Sequence, residues 1–315
     1  MGRGDLAGGA RVAPNTIVIT GYRRPALFRD LLHSLARNDL AGWRVAIHLE
    51  PSPQVPAFAQ AAAELLAGQD YAITVNPRRL GIRANPFHAL DLAFAAGAPG
   101  VLYLEEDLVV APDATALANW YFARHRPEWL ALGLLAGGCG ATGYLSHAGH
   151  PGLLFAARTF NSLGFALRAQ EWRGSVRGRW MRRAPARMRT YSTSSPVGWD
   201  WQLYALLVNS SRRRVLQPVL ARAKHMGRDQ GEFCTPAFHD RAFPYLPLAT
   251  AASQDYEVRA IDELPPEVRG HAQLWDEMAA LSRQPGVERL HLLWRYGRER
   301  LRRRLGLHRD DRHRR

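Results

Sequence analysis

Apolar residues in the first third of the chain come in short bursts whose internal spacing alternates between two types. Thr16 to Thr20 is a β-branched run, too short for a helix, and reads as a buried strand. Gly21 to Pro25 breaks it. Ala26 to Asn38 then places Leu27, Leu31, Leu32 and Leu35 at helical spacing. Arg44 to Leu49 predicts a second strand ended by Glu50, Pro51 and Pro53. Pro56 to Leu66 predicts an Ala/Leu-rich helix, Tyr71 to Val75 a third strand, and Ala84 to Ala96 a third helix. Val101 to Leu104 predicts a fourth strand that runs straight into Glu105, Glu106 and Asp107. Strands alternating with helices in this way predict an α/β fold with a mostly parallel sheet. Ligands of such sheets sit at the carboxyl ends of the strands, where the three acids lie.

Beyond Pro112 the pattern loosens. Ala114 to Arg124 and Gly198 to Asn209 read as helices, Gly137 to Gly152 as a glycine-rich loop, and Phe155 to Leu167 as mixed strand and turn. Arg214 to Leu220 reads as the last strand of the sheet, Gly227 to Phe243 as a polar loop, and everything from Glu257 as helical. Val287 to Leu305 has Leu290, Leu293, Trp294 and Leu301 along one side and arginines on the other. That composition suits either an interfacial helix, making peripheral membrane contact over 287–306, or a docking helix. The expected organisation is a flexible segment 1–14, a main α/β domain 15–250 in two halves, 15–113 and 114–250, a helical extension 251–306 and a basic disordered tail 307–315.

Composition changes this picture little. The 315 residues are 47% hydrophobic and 22% charged, which excludes wholesale disorder. Two cysteines, Cys139 and Cys234, lie far apart, which excludes a disulfide framework and a cysteine-built zinc site. No apolar run reaches the roughly 20 residues that span a bilayer. Together these predict a cytoplasmic protein, peripheral at most to the inner face of a membrane. The net charge of +14 invites a nucleic-acid reading. However, about half the excess lies in the tail, where 11 arginines from Arg289 to Arg315 face Glu288, Glu299, Asp310 and Asp311. A second cluster spans Arg173 to Arg189. Charge confined to a tail and a loop is not a basic groove, so no specific nucleic-acid partner is expected.

Glu105, Glu106 and Asp107 are the sharpest chemical feature. Adjacent carboxylates repel unless a cation compensates, and a hard divalent ion takes carboxylate oxygens. The alternative is a solvated acidic turn. Glu105 to Asp113 resembles the acidic motif of the GT-A glycosyltransferases, which bind sugar nucleotides. Within that family it is most similar to the N-acetylglucosaminyltransferase I type (alpha-1,3-mannosyl-glycoprotein beta-1,2-N-acetylglucosaminyltransferase). The resemblance continues in order through Thr20 to Pro25 with Leu31, Leu32, Ser34 and Leu35, then Leu80 to Asn85, Arg158 to Phe165, and Pro218 to Phe233. It covers roughly 16–245.

The resemblance implies a UDP-linked nucleotide-sugar donor, a Mn²⁺ (or Mg²⁺) cofactor and transfer with inversion to a glycan or lipid-linked acceptor. It places Asp107 on the metal and Glu105 and Glu106 at the uridine ribose, although the family has Asp where Glu106 stands. It implies that Glu50 reads the base, that Arg23 or Arg24 holds the nucleotide, and that Asn85 borders it. The loop carrying Arg222 and Arg228 closes over the donor in the family, which makes both candidates for phosphate contact. His225, beside Lys224, is a candidate for the diphosphate or for a second metal ligand. An inverting transferase needs a base for the acceptor hydroxyl. The family has Trp-Asp-Asp-Trp where this chain has Trp199, Asp200 and Trp201. Asp200, the one acid of the motif, is the candidate base, and Trp199 and Trp201 are candidate platforms for the acceptor sugar. Trp172 and Trp180 either extend that surface or pack in the core. A sugar nucleotidyltransferase and a non-catalytic basic binding protein are the competing classes.

Overall fold

The structure is a computed structural model that describes residues 13–124, 126–137, 143–182, 199–229, 234–243, 246–253 and 255–281. The Val287 to Leu305 helix, the basic tail and the first twelve residues lie outside these. The N-terminal half alternates as the pattern predicts: β1 (Asn15–Gly21), α1 (Pro25–Leu35), β2 (Trp43–Leu49), α2 (Val55–Leu65), β3 (Tyr71–Val75), α3 (Gly81–Ala95) and β4 (Gly100–Glu105). Then come β5 (Leu108–Val110), α4 (Ala114–Ala123), β6 (Trp129–Gly133), β7 (Ala136–Gly137), β8 (Tyr144–Leu145), β9 (Leu153–Ala157) and β10 (Phe165–Arg168). A broken helical stretch follows, with α5 (Ala169–Glu171) and α6 (Arg177–Trp180) around a π-helical turn. The described chain ends with α7 (Asp200–Val208), β11 (Arg214–Pro218), β12 (Ala223–His225), α8 (Pro236–Ala242), β13 (Glu257–Arg259) and α9 (Pro266–Leu281).

Among the described residues, nine strands form one mixed, mostly parallel sheet in the order β13-β9-β11-β6-β10-β4-β1-β2-β3, flanked by helices. The first four strands are parallel. β10 runs antiparallel between β4 and β6. Both faces of β1 and β4 are covered, which explains their unbroken apolar runs. Ile17 and Ile19 of β1 join one core with Phe28, Leu31 and Leu32 of α1, while Val18 joins the other core with Leu90 and Phe94 of α3. β4 divides the same way, with Leu102 and Leu104 on one face and Val101 and Tyr103 on the other.

Three elements differ from expectation. Residues 236–242 form α8 rather than loop, because Thr235 caps it by accepting the Phe238 N–H and Pro236 presets its first turn. Glu257 to Arg259 is a strand, not a helix, and pairs in parallel with β9 at the sheet edge. β11 is not the last strand of the sheet, since β13 follows it in the chain, and it sits inside the sheet between β9 and β6. Residues beyond 250 thus share the main sheet, and α9 buries Val268, Ala272 and Trp275 against Phe155 of β9. No helix among the described residues is long and apolar enough to cross a membrane.

Candidate active site

The chain moves outward from β1 to β2 and β3, then returns to place β4 on the other side of β1. The crevice at this reversal is where open α/β sheets bind ligands. Thr20 of β1 is in register with Glu105 of β4, and Gly21 with Leu49 of β2. The ends of three strands therefore bring Arg24, Glu50 and the acidic triplet to one edge.

Arg24 lies at the entry to α1. Its Nε donates to Glu106 Oε1 at 2.7 Å and its Nη1 to Asp107 Oδ2 at 2.7 Å. Glu106 Oε2 accepts the Tyr22 N–H at 2.6 Å. Both Glu106 oxygens are thus spent on shaping the Tyr22 to Arg24 turn. Gly21 makes this approach possible, since a Cβ there would lie 3.0 Å from Glu106 Oε2 and 2.9 Å from Phe58. Arg23 points elsewhere, with its guanidinium 4.3 Å from the centre of the Tyr22 ring. Of the two arginines, the structure directs Arg24 at the acids.

β5 starts directly after Asp107 and pairs antiparallel with β12, with Leu108 opposite His225. The Met226 N–H donates to the Asp107 carbonyl at 2.7 Å, and His225 Nε2 reaches Asp107 Oδ2 at 3.1 Å. Gly227 passes so close that a Cβ would lie 2.6 Å from that same oxygen. Asp107 is 4% exposed, yet its Oδ1 has no hydrogen-bond partner among the described residues. A buried carboxylate oxygen left unbonded is costly unless something positive meets it.

The electrostatics follow from this packing. Burial alone would raise the Asp107 carboxyl, but hydrogen bonds and charge from His225, then Arg24, hold it below the usual carboxylate range. Burial opposes charge on the His225 imidazole, yet Asp107 and the Cys234 sulfur more than offset it and push it up to about 9. Burial, followed by the neighbouring Asp107 charge, pushes Glu105 up to about 8. Glu105 Oε1 lies 3.3 Å from the Tyr103 hydroxyl, which in turn lies 2.8 Å from Thr20 Oγ1.

The donor set at this edge fits a hard cation through one protein ligand. Asp107 Oδ1 is an unbonded oxygen, and a cation there would stabilise the ionised Glu105. No third carboxylate or imidazole among the described residues converges with these two into a complete ligand set. The remaining ligands of an ion would have to come from a donor phosphate or water.

The other expected site residues divide sharply. Glu50 is 3% exposed, and its carboxylate accepts the Leu80 N–H at 2.9 and 3.0 Å and the Gly81 N–H at 2.5 Å. It fastens the start of α3 to the sheet edge. Asn76 bridges Glu50 and Asn85, donating at 3.2 and 2.8 Å. Asn85 lies inside α3, not at its cap, which is Leu80. Arg228 pairs with Asp240 of α8 at 2.6 Å and is exposed.

Two expectations are corrected. Arg222 does not face a phosphate: it is fully buried, and its guanidinium is spent on both oxygens of Asp113 and on the Leu220 and Pro151 carbonyls. Trp199 is not an acceptor platform: it is 2% exposed and stacks on Trp180 with centroids 4.2 Å apart. Trp172 and Trp180 are likewise core. The side chain of Trp201 lies outside the described residues. Asp200 opens α7, directly after Trp199, whose ring packs edge-on against Tyr103. The start of α7 therefore rests on the residue that contacts Glu105. Gly227, Tyr22, Tyr103 and Asn76 were missed by sequence reasoning. Only Gly227, a glycine just past a strand that ends in His225, carried a readable signal.

No family model matches the chain. No curated protein matches it. Among solved structures, it overlaps the glycosyltransferase GlyE of Streptococcus pneumoniae TIGR4 with a TM-score of 0.40 and 17% identity, over 63% of this chain and 44% of that one. It overlaps residues 1–349 of S. aureus TarS with a TM-score of 0.44 and 13% identity, over 88% of this chain and 68% of that one. The mannosyltransferase PcManGT of Pyrobaculum calidifontis, solved with GDP-Man and Mn²⁺, overlaps with a TM-score of 0.41 and 14% identity, over 90% of this chain and 70% of that one. The chain spans less than half the length of GlyE. Overlaps this loose carry no argument about the site, which rests on its own geometry.

Proposed function

We propose that this protein is a metal-dependent glycosyltransferase of the GT-A type. In this reading it moves a sugar from a nucleotide-linked donor, UDP-linked by the sequence resemblance, to a hydroxyl of a glycan or lipid-linked acceptor. The observation that carries it is the unbonded, buried Oδ1 of Asp107 at the β1/β4 reversal, where open sheets bind nucleotides. Asp107 would hold Mn²⁺ or Mg²⁺, and an ion there offsets the charge that gathers on a departing diphosphate. Arg24 and His225 hold the other Asp107 oxygen, so the free one faces a fixed direction. Glu106 holds the Tyr22 to Arg24 turn against the site.

In the inverting reaction the acceptor oxygen attacks the anomeric carbon, the bond to the phosphate oxygen breaks, and a carboxylate takes the acceptor proton. Asp200 is assigned that proton. Its support is position: it follows Trp199, which packs under Tyr103 and hence under Glu105. N-acetylglucosamine is the donor sugar that the resemblance favours. A panel of UDP- and GDP-sugars with and without Mn²⁺, read by thermal shift and by nucleotide release, tests this proposal. A sugar nucleotide should stabilise the protein only with the ion present, and Asp200→Asn should keep that shift while losing turnover. Absence of any ion-dependent shift across the panel would refute the reading.

A further inference from the structure

Away from the acidic edge, a second set of ligating side chains meets where residues 146–152 approach the first turn of α9. His147, His150 and Glu267 each offer one ligand atom, and these atoms all lie within 4.8 Å of one another. His150 Nε2 is 2.9 Å from Glu267 Oε1. The two imidazoles stack with centroids 5.4 Å apart, and the Gly149 N–H donates to His147 Nδ1 at 3.3 Å. Two imidazoles and one carboxylate are the donor set that suits Zn²⁺ rather than Mg²⁺.

The scaffold on both sides is fixed. The His147 N–H donates to the Val219 carbonyl at 2.9 Å, and Ser146 Oγ accepts the Ala221 N–H at 2.8 Å. The Pro151 carbonyl accepts from the buried Arg222. Opposite, Leu264, Val268 and Trp275 seat α9 in the core. The three ligands therefore come from two elements that the rest of the molecule already holds in place, and the half-exposed triad leaves a path from solvent.

We propose that His147, His150 and Glu267 form a three-ligand Zn²⁺ site, distinct from Asp107, that clasps the 146–152 segment to α9 and leaves a fourth position open to water. This inference does not depend on the glycosyl-transfer reading. The test is calorimetric titration of Zn²⁺ alone into the untagged, chelator-treated full chain and its variants. One equivalent should bind with a Kd of about 1 µM or tighter. His147→Ala should weaken binding by about a hundredfold and Glu267→Gln by about tenfold. Asp107→Asn should leave binding unchanged. Zinc in excess should raise the Tm by about 5 °C in the parent and not in His147→Ala. Cobalt should give the visible absorption of a tetrahedral site in the parent and in Asp107→Asn, and not in His147→Ala. Binding that survives His147→Ala, binding lost instead in Asp107→Asn, or no uptake at 100 µM zinc, about a hundred times the expected Kd, would overturn the proposal.

Discussion

Asp107 and Asp113 lie close in sequence, both are buried, and both are gripped by an arginine, yet they end in opposite states. Asp113 accepts from Arg222 Nε and Nη2 at 2.9 to 3.0 Å, from the Ser253 N–H at 3.1 Å and from the Tyr256 hydroxyl at 2.8 Å. Both of its oxygens are satisfied. Asp107 takes Arg24 and His225 on one oxygen and leaves the other without a partner among the described residues. The first arrangement closes an ion pair on itself and ties the segment after 250 to the sheet. The second keeps coordinating capacity in reserve at the sheet edge where the nucleotide is proposed to bind. An arginine beside a carboxylate therefore says little about function; a buried oxygen without a partner says much more.

The comparison can be broken most severely at Asp107. Asp107→Asn should slow nucleotide release from the preferred sugar nucleotide by about 10³-fold. The variant should remain folded, with a Tm change smaller than that of the Arg222 variant, because Arg24 keeps Glu106. Arg222→Met should do the reverse. It leaves Asp113 charged, buried and short of its main partner, at a cost of about 3 to 5 kcal/mol. Chemical denaturation should show that loss, while donor affinity per folded molecule stays at the parent value. A third change addresses closeness of packing. Gly227→Ala forces a methyl against Asp107 Oδ2, Arg24 and His225, costing about 1 to 3 kcal/mol. The same change should weaken donor binding about tenfold, measured as a Kd, because it displaces the oxygens that the site has fixed. Tyr256→Phe should have the smallest effect. It removes one donor from an Asp113 that keeps Arg222 and the Ser253 N–H, so about 1 kcal/mol should be lost, with no change in donor binding.

Much of the parallel half was readable because its strands are apolar on both faces and its turns carry Gly and Pro. Tyr71 to Val75 stands as predicted, and β1, β2 and β4 shift by only a residue or two at their ends. The rest of the sheet was harder to read. Trp129 to Gly133 is a five-residue interior strand whose continuous apolar run shows neither alternation nor helical spacing, so its periodicity did not mark it. Glu257 to Arg259 is a strand with every residue exposed, so its pairing with β9 left no hydrophobic trace. The same limit governs the site. Asp107, Glu106, Arg24 and His225 were all named from the sequence, because motif order places them at strand ends. Arg222 read like Arg24, since its pairing with Asp113 is a long-range contact that no local pattern encodes. Trp199 read as a sugar platform because flanking an acid looks the same in sequence whether the ring faces a cleft or stacks on Trp180.

The central claim is that Asp107 keeps a coordinating oxygen free for an ion that a nucleotide diphosphate shares. Calorimetry of UDP binding, with and without Mn²⁺, on the parent and on Asp107→Asn addresses it most directly. Uptake in the parent should require the ion and disappear in Asp107→Asn, while Arg222→Met, per folded molecule, should bind like the parent. UDP binding of equal strength without the ion, or binding that persists unchanged in Asp107→Asn, would contradict it.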